Sequence, residues 1–408
     1  MNAPLKEIAA APPAQGGRPL RVLHLVDSLG MGGAETWLVE LLRYWQANGA
    51  VRADIVATGG EHGVFDDEAR ALGAQVFYLR YGRRPLPSFV SGLRRVLRQG
   101  RYDALHDHQD YVSGWHYLMG WGLLPAVRAT HVHNPAYQIR NNYGVTPARR
   151  LTARAGKGLV ARYATHILGT SSDAMTAYGF DDAAFSAIPR AALYCGIDAG
   201  RFLASEAARA SVRDEFGWRA KDAVVLFAGR FDISPDPAHP QTHKNSGFAV
   251  DVAIECARRS DNIRFVFAGP FSPATPALSQ RVLDAGLNGR IVFAGVRLDI
   301  GHLMGGADAL LFPSRAEGLG MVAVEAQAAG LSVLASAAVP RECVVVPQLV
   351  QFQDQDDGVA VWAEQLLAAI DRPRMDPADA NRQVAASAFS IQHSAAALER
   401  LYRDGVLA

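Results

Sequence analysis

The chain alternates short, fully apolar runs with longer stretches in which apolar residues recur every three or four positions. The run at residues 20–26 is typical of a buried parallel strand, and a Gly-rich turn and a predicted helix at residues 34–47 follow it. Five further predicted strands lie in this half of the chain, at residues 53–58, 75–78, 104–108, 127–131 and 166–169. Strands separated by helical stretches predict βαβ units and a parallel sheet.

A second set of the same kind begins after the turn-rich stretch 196–202, which suits a domain junction. Its predicted strands lie at residues 223–228, 263–268, 290–294, 309–312 and 332–335. Three of these strands run directly into a glycine: Gly229, Gly269 and Gly295. In doubly wound folds, ligands bind beyond the carboxyl ends of the strands, where backbone must approach closely. The repeated glycine therefore predicts a ligand site in this second domain.

The length of 408 residues supports two α/β domains. We expect two Rossmann-like β/α/β domains that face each other across a cleft, and an amphipathic last helix that packs back on the first domain. The expected divisions are a disordered lead-in at 1–18, a first domain at 19–200, a second at 201–385, and the returning helix at 386–408.

Composition excludes several classes of protein. Hydrophobic residues make up 49% and charged residues 20%, which is normal for a globular protein, and a net charge of +1 gives no indication of nucleic-acid binding. Three widely spaced cysteines argue against a disulfide framework or a cysteine metal site and indicate a reducing compartment. The sequence shows neither a signal-peptide core nor an apolar stretch long enough to span a bilayer. We expect a cytoplasmic protein that is soluble or peripheral to the membrane.

Charge is distributed less evenly than the total suggests. Residues 80–162 hold fourteen Lys or Arg against three Asp, concentrated in the segments 83–101 and 149–162. Within the first segment, residues 89–98 form an amphipathic helical pattern. One interpretation is two helices packed on a sheet with solvated basic faces. The other is a surface that rests on anionic lipid at the inner membrane face.

The strongest motif lies after the predicted strand at 309–312. Glu317 precedes the turn Gly318-Leu319-Gly320, and Glu325 lies in the helix that follows. Free N–H groups at a helix N-terminus, approached through glycines, can bind a diphosphate. Glu325 can accept hydrogen bonds from ribose hydroxyls and Glu317 from a sugar ring. Acidic residues near the positive end of a helix could instead stabilise it by at most about 1 kcal/mol, but that role needs no second Glu at this spacing.

Two basic residues follow another strand of the second domain. Arg230 comes directly after Gly229, and Lys244 follows a loop that contains three prolines. A guanidinium and an ammonium group together can neutralise a diphosphate leaving group.

The first domain has a Gly-rich turn after its first strand. It resembles a dinucleotide fingerprint but has Glu35 where that fingerprint requires Gly or Ala, which argues against a nicotinamide dehydrogenase. Gly32 and Gly33 make sense as a backbone surface that faces phosphate and sugar across a cleft.

Two pairs of histidines, each two residues apart, form the remaining cluster: His106 with His108, and His131 with His133. They could bind a metal. We favour the alternative, in which one or two face the cleft and the others are structural, and we expect no metal site. His133 is the best placed, at the end of its strand.

Taken together, these residues resemble glycosyltransferase family 4, whose members are retaining enzymes of GT-B fold, over nearly the whole chain. The motifs that carry the resemblance are Gly32-Gly33-Ala34-Glu35, His133-Asn134, Cys195-Gly196-Ile197-Asp198, Gly229-Arg230 with Lys244-Asn245, and Glu317 with Glu325. The runs at 295–299 and 325–330 are similar to the branch that builds extracellular and capsular polysaccharides.

The resemblance implies a role for each matching residue. Arg230 and Lys244 would hold the donor diphosphate, His133 would face the phosphate and the transferred sugar, and Glu317 would contact that sugar. The other implied donor contacts are Gly32, Gly33 and Gly229 near the phosphates, Gly318, Leu319 and Gly320 through backbone, Glu325 at the ribose, and Val296 and Arg297 at the base. The family's usual Asn is replaced here by Cys195, a change that we expect to matter for the hinge.

The implied activity is retaining transfer of a hexose or N-acetylhexosamine from a nucleoside-diphosphate sugar to a glycan or lipid-linked acceptor. UDP is the favoured nucleotide, GDP is an alternative, and no cofactor or metal is expected. The leaving diphosphate would help to deprotonate the acceptor, so no pair of catalytic carboxylates is required. Two other interpretations stay open: an inactive scaffold that binds nucleotide sugars, and a GT-B-type epimerase or phosphorylase.

Overall fold

The computed structural model describes residues 18–134, 146–372 and 374–407. The lead-in expected at residues 1–18 lies outside these ranges, apart from Arg18, which forms an ion pair with Asp103.

The first half of the chain forms a parallel sheet of seven strands in the order β3-β2-β1-β4-β5-β6-β7. The strands are β1 Leu20–Val26, β2 Val51–Ala57, β3 Val76–Tyr78, β4 Ala104–Asp107, β5 Val127–Val132, β6 His166–Gly169 and β7 Arg190–Ala192. The helices described between them are α1 Gly33–Asn48, α2 Asp66–Ala71, α3 Leu86–Gly100, α4 Val112–Gly120, α5 Pro147–Tyr163 and α6 Ser172–Tyr178.

The second half forms a parallel sheet of six strands in the order β10-β9-β8-β11-β12-β13. The strands are β8 Ala223–Ala228, β9 Ile263–Ala268, β10 Ile291–Gly295, β11 Ala309–Phe312, β12 Ser332–Ser336 and β13 Val350–Gln353. The helices are α7 Glu206–Glu215, α8 Ser246–Arg259, α9 Thr275–Asp284, α10 Ile300–Gly306, α11 Met321–Ala328, α12 Gly358–Ile370, α13 Pro377–Ala385 and α14 Ile391–Asp404.

Helices cover both faces of each sheet, as strand alternation requires. In β1, Val22 and Val26 belong to the core beneath α1, whereas Leu23 and Leu25 face the opposite core beneath α3. The predicted α/β fold with two Rossmann-like halves is confirmed.

Local sequence explains where the main helices begin and end. Helix α5 starts with Thr146, whose side chain accepts the backbone N–H of Arg149, and has Pro147 at its first position. Helix α1 ends at Gly49, whose φ of 70° suits glycine.

The last helix returns to the first sheet, as predicted. Its buried face joins the core that contains β1 and α1; the buried residues are Ile391, Ala395, Leu398, Leu401 and Tyr402. Near the start of this helix, Trp37 Nε1 donates to Ser394 Oγ at 3.1 Å. The C-terminus therefore stabilises the first sheet although it follows the second in sequence.

The basic segment 83–101 contains a packed amphipathic helix. Phe89, Leu93 and Leu97 of α3 are buried, while Arg94 donates to the backbone carbonyls of Met119 and Trp121. The predicted helix is therefore confirmed, and Arg95 and Arg98 on its outer face are exposed. All three cysteines are free and buried. Within the described ranges, no helix is both long enough and apolar enough to cross a membrane.

Candidate functional site

The carboxyl ends of the two sheets face each other. A Cβ atom added to Gly33, at the start of α1, would lie 3.8 Å from Cγ of Met321, at the start of α11. The strand order of each sheet reverses between β1 and β4 and between β8 and β11. Such a reversal opens a crevice at the carboxyl edge, where doubly wound folds bind ligands. Each sheet therefore contributes such a crevice to the same cleft, and a helix N-terminus lies on each side of it.

Both of these helices begin without a side-chain cap. Gly32 precedes α1 and Gly320 precedes α11, and neither can offer a side-chain oxygen to the first turn. At α11 the N–H groups of the first turn thus remain available to an anion, which the helix dipole also favours. At α1 the carboxylate of Glu35 folds back on the first turn and accepts a hydrogen bond from its own backbone N–H. The predicted glycines therefore form the start of two helices that converge on one place.

The loop before α11 lies against the first sheet. A Cβ on Gly318 would come within 2.2 Å of the carbonyl oxygen of His133, and Ser171 Oγ donates to the carbonyl of Gly318 at 2.6 Å. Gly320 has a φ of 91°, a conformation that favours glycine. The side chain of Leu319 is buried in the core, so any ligand contact must come from its backbone. Ser171 was missed in the sequence because nothing in its local pattern marks it.

Lys244 and Glu317 are brought together, although 73 residues separate them. Lys244 Nζ donates to Glu317 Oε1 at 2.6 Å, and its stem runs past Gly229. Asp232 positions the lysine, because its Oδ1 accepts the backbone N–H groups of His243 and Lys244 at 2.7 and 3.1 Å. The proline-containing loop therefore returns to the end of β8 and places Lys244 in the cleft.

Arg230 is exposed at the end of β8 and has no side-chain hydrogen bond or ion pair with any residue that the structure describes. Its charge acts on Glu35 across the cleft. Burial raises the pKa of the Glu35 carboxyl, and the positive charge of Arg230 opposes that rise. Glu35, which departs from the dinucleotide fingerprint, thus contributes an acidic side chain to the cleft.

Glu325 lies in α11 beside the domain junction. Burial raises its pKa to about 7, while the charges of Arg201 and Lys244 act in the opposite direction. Arg201 itself forms an ion pair with Glu40 of α1. The predicted ribose contact is therefore a carboxyl group whose pKa is about 7, under the influence of two cations.

Val296 and Arg297 follow β10 at the edge of the second sheet. Val296 is 46% exposed, whereas the Arg297 guanidinium forms ion pairs with Glu215 and Asp299. The backbone of Arg297 can thus contact a ligand, but its side chain is already held in two ion pairs. Phe271, 59% exposed, packs over Gly295 with its Cζ 3.6 Å from an added Cβ. It adds an apolar ring that the sequence analysis missed.

Five histidines, not four, form one cluster on adjacent strands of the first sheet: His24, His106, His108, His131 and His133. His24 was missed, because only the pairing of β1 with β4 sets it opposite His106. His108 Nδ1 lies 2.8 Å from His133 Nε2, and burial lowers the pKa of His133 to about 3. His133 is therefore a neutral imidazole held by its neighbours at physiological pH.

Cys195 lies beside this cluster. Its Sγ is 3.9 Å from His133 Nδ1 and 3.4 Å from Thr170 Oγ1. We expected this position to matter for the hinge, but the thiol touches a candidate site residue. The residue at position 195 thus contacts the candidate site directly, through His133.

Two family models match most of the chain. The model described as Glycosyltransferase Family 4 matches residues 31–199, and the model described as Glycosyl transferases group 1 matches residues 222–372. The Bacillus subtilis protein EpsF, a glycosyltransferase by its name, is 26% identical over 360 residues, which span 87% of this chain and 90% of EpsF. The D-inositol 3-phosphate glycosyltransferase of Mycolicibacterium smegmatis is 26% identical over 335 residues, spanning 78% and 71% of the two chains.

Solved structures show the same fold. Anabaena HepE in complex with UDP-glucose superposes with a TM-score of 0.66 at 19% identity and covers 94% of this chain and 96% of HepE. WaaG, a glycosyltransferase involved in lipopolysaccharide biosynthesis, gives a TM-score of 0.68 at 14% identity and covers 94% and 100%. At these identities the likeness concerns the arrangement of the two sheets, which is that of the GT-B fold.

Proposed function

The chain belongs to glycosyltransferase family 4 and is a transferase of GT-B fold, and we propose that it moves a hexose or N-acetylhexosamine from a nucleoside-diphosphate sugar to a glycan or lipid-linked acceptor. UDP is the favoured nucleotide, with GDP as the alternative. The product is a polysaccharide or glycoconjugate, and the reaction takes place in the cytoplasm.

One observation carries this proposal: cationic and N–H groups from both sheets converge on the same cleft. Arg230 and Lys244 follow β8, while the N-termini of α1 and α11, neither of which has a side-chain cap, lie beside each other at Gly33 and Met321. A diphosphate between the sheets would meet two positive side chains and two helix dipoles. Glu317 beside Lys244 supplies an acceptor for sugar hydroxyls, and Glu325 supplies one for the ribose.

We propose a front-side transfer, which retains the anomeric configuration. The bond between the anomeric carbon and the diphosphate oxygen breaks, and its electron pair leaves with that oxygen. The acceptor hydroxyl oxygen bonds to the same face of the anomeric carbon, and its proton passes to the departing phosphate oxygen. Arg230 and Lys244 stabilise the charge that develops there, which is the largest contribution expected of the protein. Two positively charged side chains take the role that a metal ion would otherwise fill, so the proposed reaction is metal-independent.

The similar proteins support the donor and the product class. HepE has been crystallised with UDP-glucose and with UDP, and WaaG acts in lipopolysaccharide biosynthesis. EpsF shares 26% identity over most of both chains. In this chain, Phe271 and Val296 form an exposed apolar surface at the carboxyl ends of β9 and β10 that suits a nucleobase.

A lipid-linked acceptor would place the enzyme at an anionic membrane. The basic segment 149–162 also exposes an apolar side chain, since Leu151 is 69% exposed. Trp121, which lies outside both segments but accepts a hydrogen bond from Arg94 of segment 83–101 at its carbonyl, is 66% exposed. Apolar side chains among cations suit the interface of anionic lipid.

Vesicle co-sedimentation tests the membrane contact. Phosphatidylcholine vesicles with added phosphatidylglycerol should bind the protein at low salt, and pure phosphatidylcholine should not. The double variant Arg95→Glu/Arg98→Glu should lose binding, while Arg258→Glu, an exposed control on the second domain, should keep it. Equal binding by both variants would remove the membrane contact from the proposal.

The donor is tested by thermal unfolding with UDP, GDP, ADP and their sugar conjugates, with and without EDTA. We expect stabilisation by one nucleotide, unaffected by EDTA and lost in Lys244→Ala but kept in Lys221→Ala, a lysine before β8 at the other end of the sheet. The product anomer, read by proton NMR, tests retention.

The open alternatives correspond to other outcomes of these experiments. Stabilisation by a nucleotide sugar with no turnover and no transfer would favour an inactive scaffold that binds nucleotide sugars. Turnover of a nucleotide sugar or sugar phosphate without transfer to an acceptor would favour an epimerase or phosphorylase. No stabilisation by any nucleotide would overturn the proposed donor. Inversion of the anomeric centre would overturn the front-side mechanism alone.

A further inference from the structure

The histidine cluster is larger than the proposed donor site requires. His133 faces the cleft, but His24, His106 and His131 are fully buried behind it. The five rings come from β1, β4 and β5 and the residues that follow these strands, and they stack beneath Trp37 of α1. A purely packed core would not need so many nitrogen atoms in one place, because each buried polar group must find a partner.

Two nitrogen atoms of the cluster do not have such a partner. His24 Nε2 and His131 Nε2 are buried and make no hydrogen bond to any of the described residues. His131 Nδ1, by contrast, lies 3.1 Å from His106 Nε2, and His106 Nδ1 lies 2.5 Å from Tyr402 Oη. If His131 carries its proton at Nδ1, its Nε2 presents a lone pair to the interior of the cluster.

We propose that His108, His131 and His133 form a binding site for a d-block divalent cation such as Zn²⁺, and that the bound ion inhibits sugar transfer by engaging His133. One nitrogen of each of these residues lies within 4.8 Å of one nitrogen of the other two. A tetrahedral zinc site separates its nitrogen ligands by about 3.4 Å, so small side-chain movements suffice to close it. The inhibitory part rests on the proposed function, whereas the binding part does not.

The groups behind the three ligands support this assignment. In metal sites, the second nitrogen of each ligating histidine is usually held by another group. Here His108 Nε2 lies 3.0 Å from His24 Nδ1, His131 Nδ1 is held by His106, and His133 Nδ1 faces Cys195 Sγ at 3.9 Å. Each ligand thus has a partner that orients its ring.

The chemistry of the site selects the class of ion. All three ligands are imidazoles, which suit Zn²⁺, Co²⁺, Ni²⁺ and Cu²⁺, whereas Mg²⁺ and Ca²⁺ prefer oxygen ligands. His108 and His133 are partly exposed, so an ion can enter from the cleft. An ion held there would occupy a ring nitrogen of His133, so that nitrogen could no longer contact the donor.

Binding is tested with Co²⁺ on untagged protein without nucleotide. We expect about one Co²⁺ per chain, with the visible absorption bands of a four-coordinate site, and competition by Zn²⁺ but not by Mg²⁺. His131→Phe and, as a second variant, His108→Phe should each weaken binding roughly tenfold or more. His62→Phe, which removes an exposed histidine far from the cluster, should bind as the wild type does. Circular dichroism would show whether each variant is folded.

The absence of the bands in wild-type protein, or their persistence in a folded His131→Phe or His108→Phe variant, would overturn the site. Inhibition is measured separately, as the dependence of the transfer rate on free Zn²⁺. An inhibition constant for Zn²⁺ that rises roughly tenfold or more in His131→Phe supports the competition with His133. Binding of Co²⁺ with no effect of Zn²⁺ on the rate would overturn the inhibitory part alone. A chain without transferase activity would overturn the proposed function but leave the Co²⁺ result valid.

Discussion

Lys244 Nζ donates to Glu317 Oε1 at 2.6 Å, which joins the end of the loop after β8 to the loop after β11. Both side chains are mostly buried, so the pair is only partly screened by water. The proposed donor brings a second and stronger anion to the same ammonium group. In the absence of the donor, Glu317 therefore forms an ion pair with the lysine that the diphosphate would bind.

The variant Glu317→Gln should change nucleotide affinity and the rate of sugar transfer in opposite directions. The change removes the competing carboxylate, and we expect UDP affinity to rise roughly threefold to tenfold in calorimetry. We expect the transfer rate to fall by about a hundredfold, because the neutral amide is a weaker acceptor for the sugar hydroxyls than the carboxylate. Glu255→Gln, which breaks the surface ion pair with Arg259, is the control and should change neither value. Weaker UDP binding in Glu317→Gln would show that the carboxylate supports the diphosphate site.

Glu325→Gln should stabilise the protein at high pH. Burial raises the pKa of Glu325 to about 7, so the folded state holds a proton that the unfolded state releases near pH 4.5. Stability contributed by this proton is complete below the unfolded pKa and is lost as pH rises through about 7. Glutamine stays neutral, so the variant should gain about 1–2 kcal/mol at about pH 8 and little at about pH 5.

Denaturant unfolding at the two pH values measures this difference. Glu364→Gln, an exposed position on α12, is the control and should show no gain at either pH. The same Glu325→Gln variant should bind UDP roughly tenfold more weakly, because the ribose loses a charged acceptor. An equal gain in stability at both pH values would contradict the assigned titration.

Gly318→Ala should damage the contact between the two sheets. Its Cβ would meet the carbonyl oxygen of His133 at 2.2 Å, and a backbone atom cannot turn away as a side chain can. We expect a loss of about 1–3 kcal/mol in the free energy of unfolding, with weaker donor binding. Gly158→Ala in α5, where an added Cβ meets nothing within 4 Å, should be neutral or stabilising by up to about 1 kcal/mol. Similar effects of the two alanines would refute the close approach.

Leu398→Ala tests the return of the last helix to the first sheet. Leu398 is fully buried in the core that α14 shares with α1 and β1, so truncation should destabilise the protein by about 2–5 kcal/mol. Leu151→Ala, at an exposed leucine, should change the free energy of unfolding by less than about 0.5 kcal/mol. Denaturant unfolding that gives equal values for both would mean that α14 contributes no packing to this core.

The central strands could be predicted from the sequence, and two edge strands could not. The predicted strands at 20–26, 223–228 and 263–268 coincide with β1, β8 and β9, because a central parallel strand must be apolar on both faces. Strands β7 and β13 were missed. They have three and four residues, lie at the edges of their sheets and are only half buried, so they carry no continuous apolar run.

The site residues also divide into those that could be identified from the sequence and those that could not. Arg230, Lys244, Glu317 and Glu325 could be selected from local motifs, since a glycine behind a strand and a glycine turn before a helix are visible in the sequence. The residues that support the site could not be selected in this way. Asp232 accepts the His243 N–H, Ser171 donates to the carbonyl of Gly318 and Glu40 pairs with Arg201, and no local pattern encodes the geometry of these contacts. His24 illustrates this most clearly, since within β1 alone it is a single histidine in an apolar run.

The periodicity of apolar residues and the placement of glycines were enough to predict two α/β domains and the residue types at the strand ends, because both are local properties of the chain. The resemblance of the local motifs pointed to the family. The pairing of Lys244 with Glu317, the contact of Gly318 with His133 and the cluster of five histidines in or just after three strands became visible only in the folded chain. Those relationships depend on strand order and on the approach of one sheet to the other, which arise from the packing of segments distant in sequence.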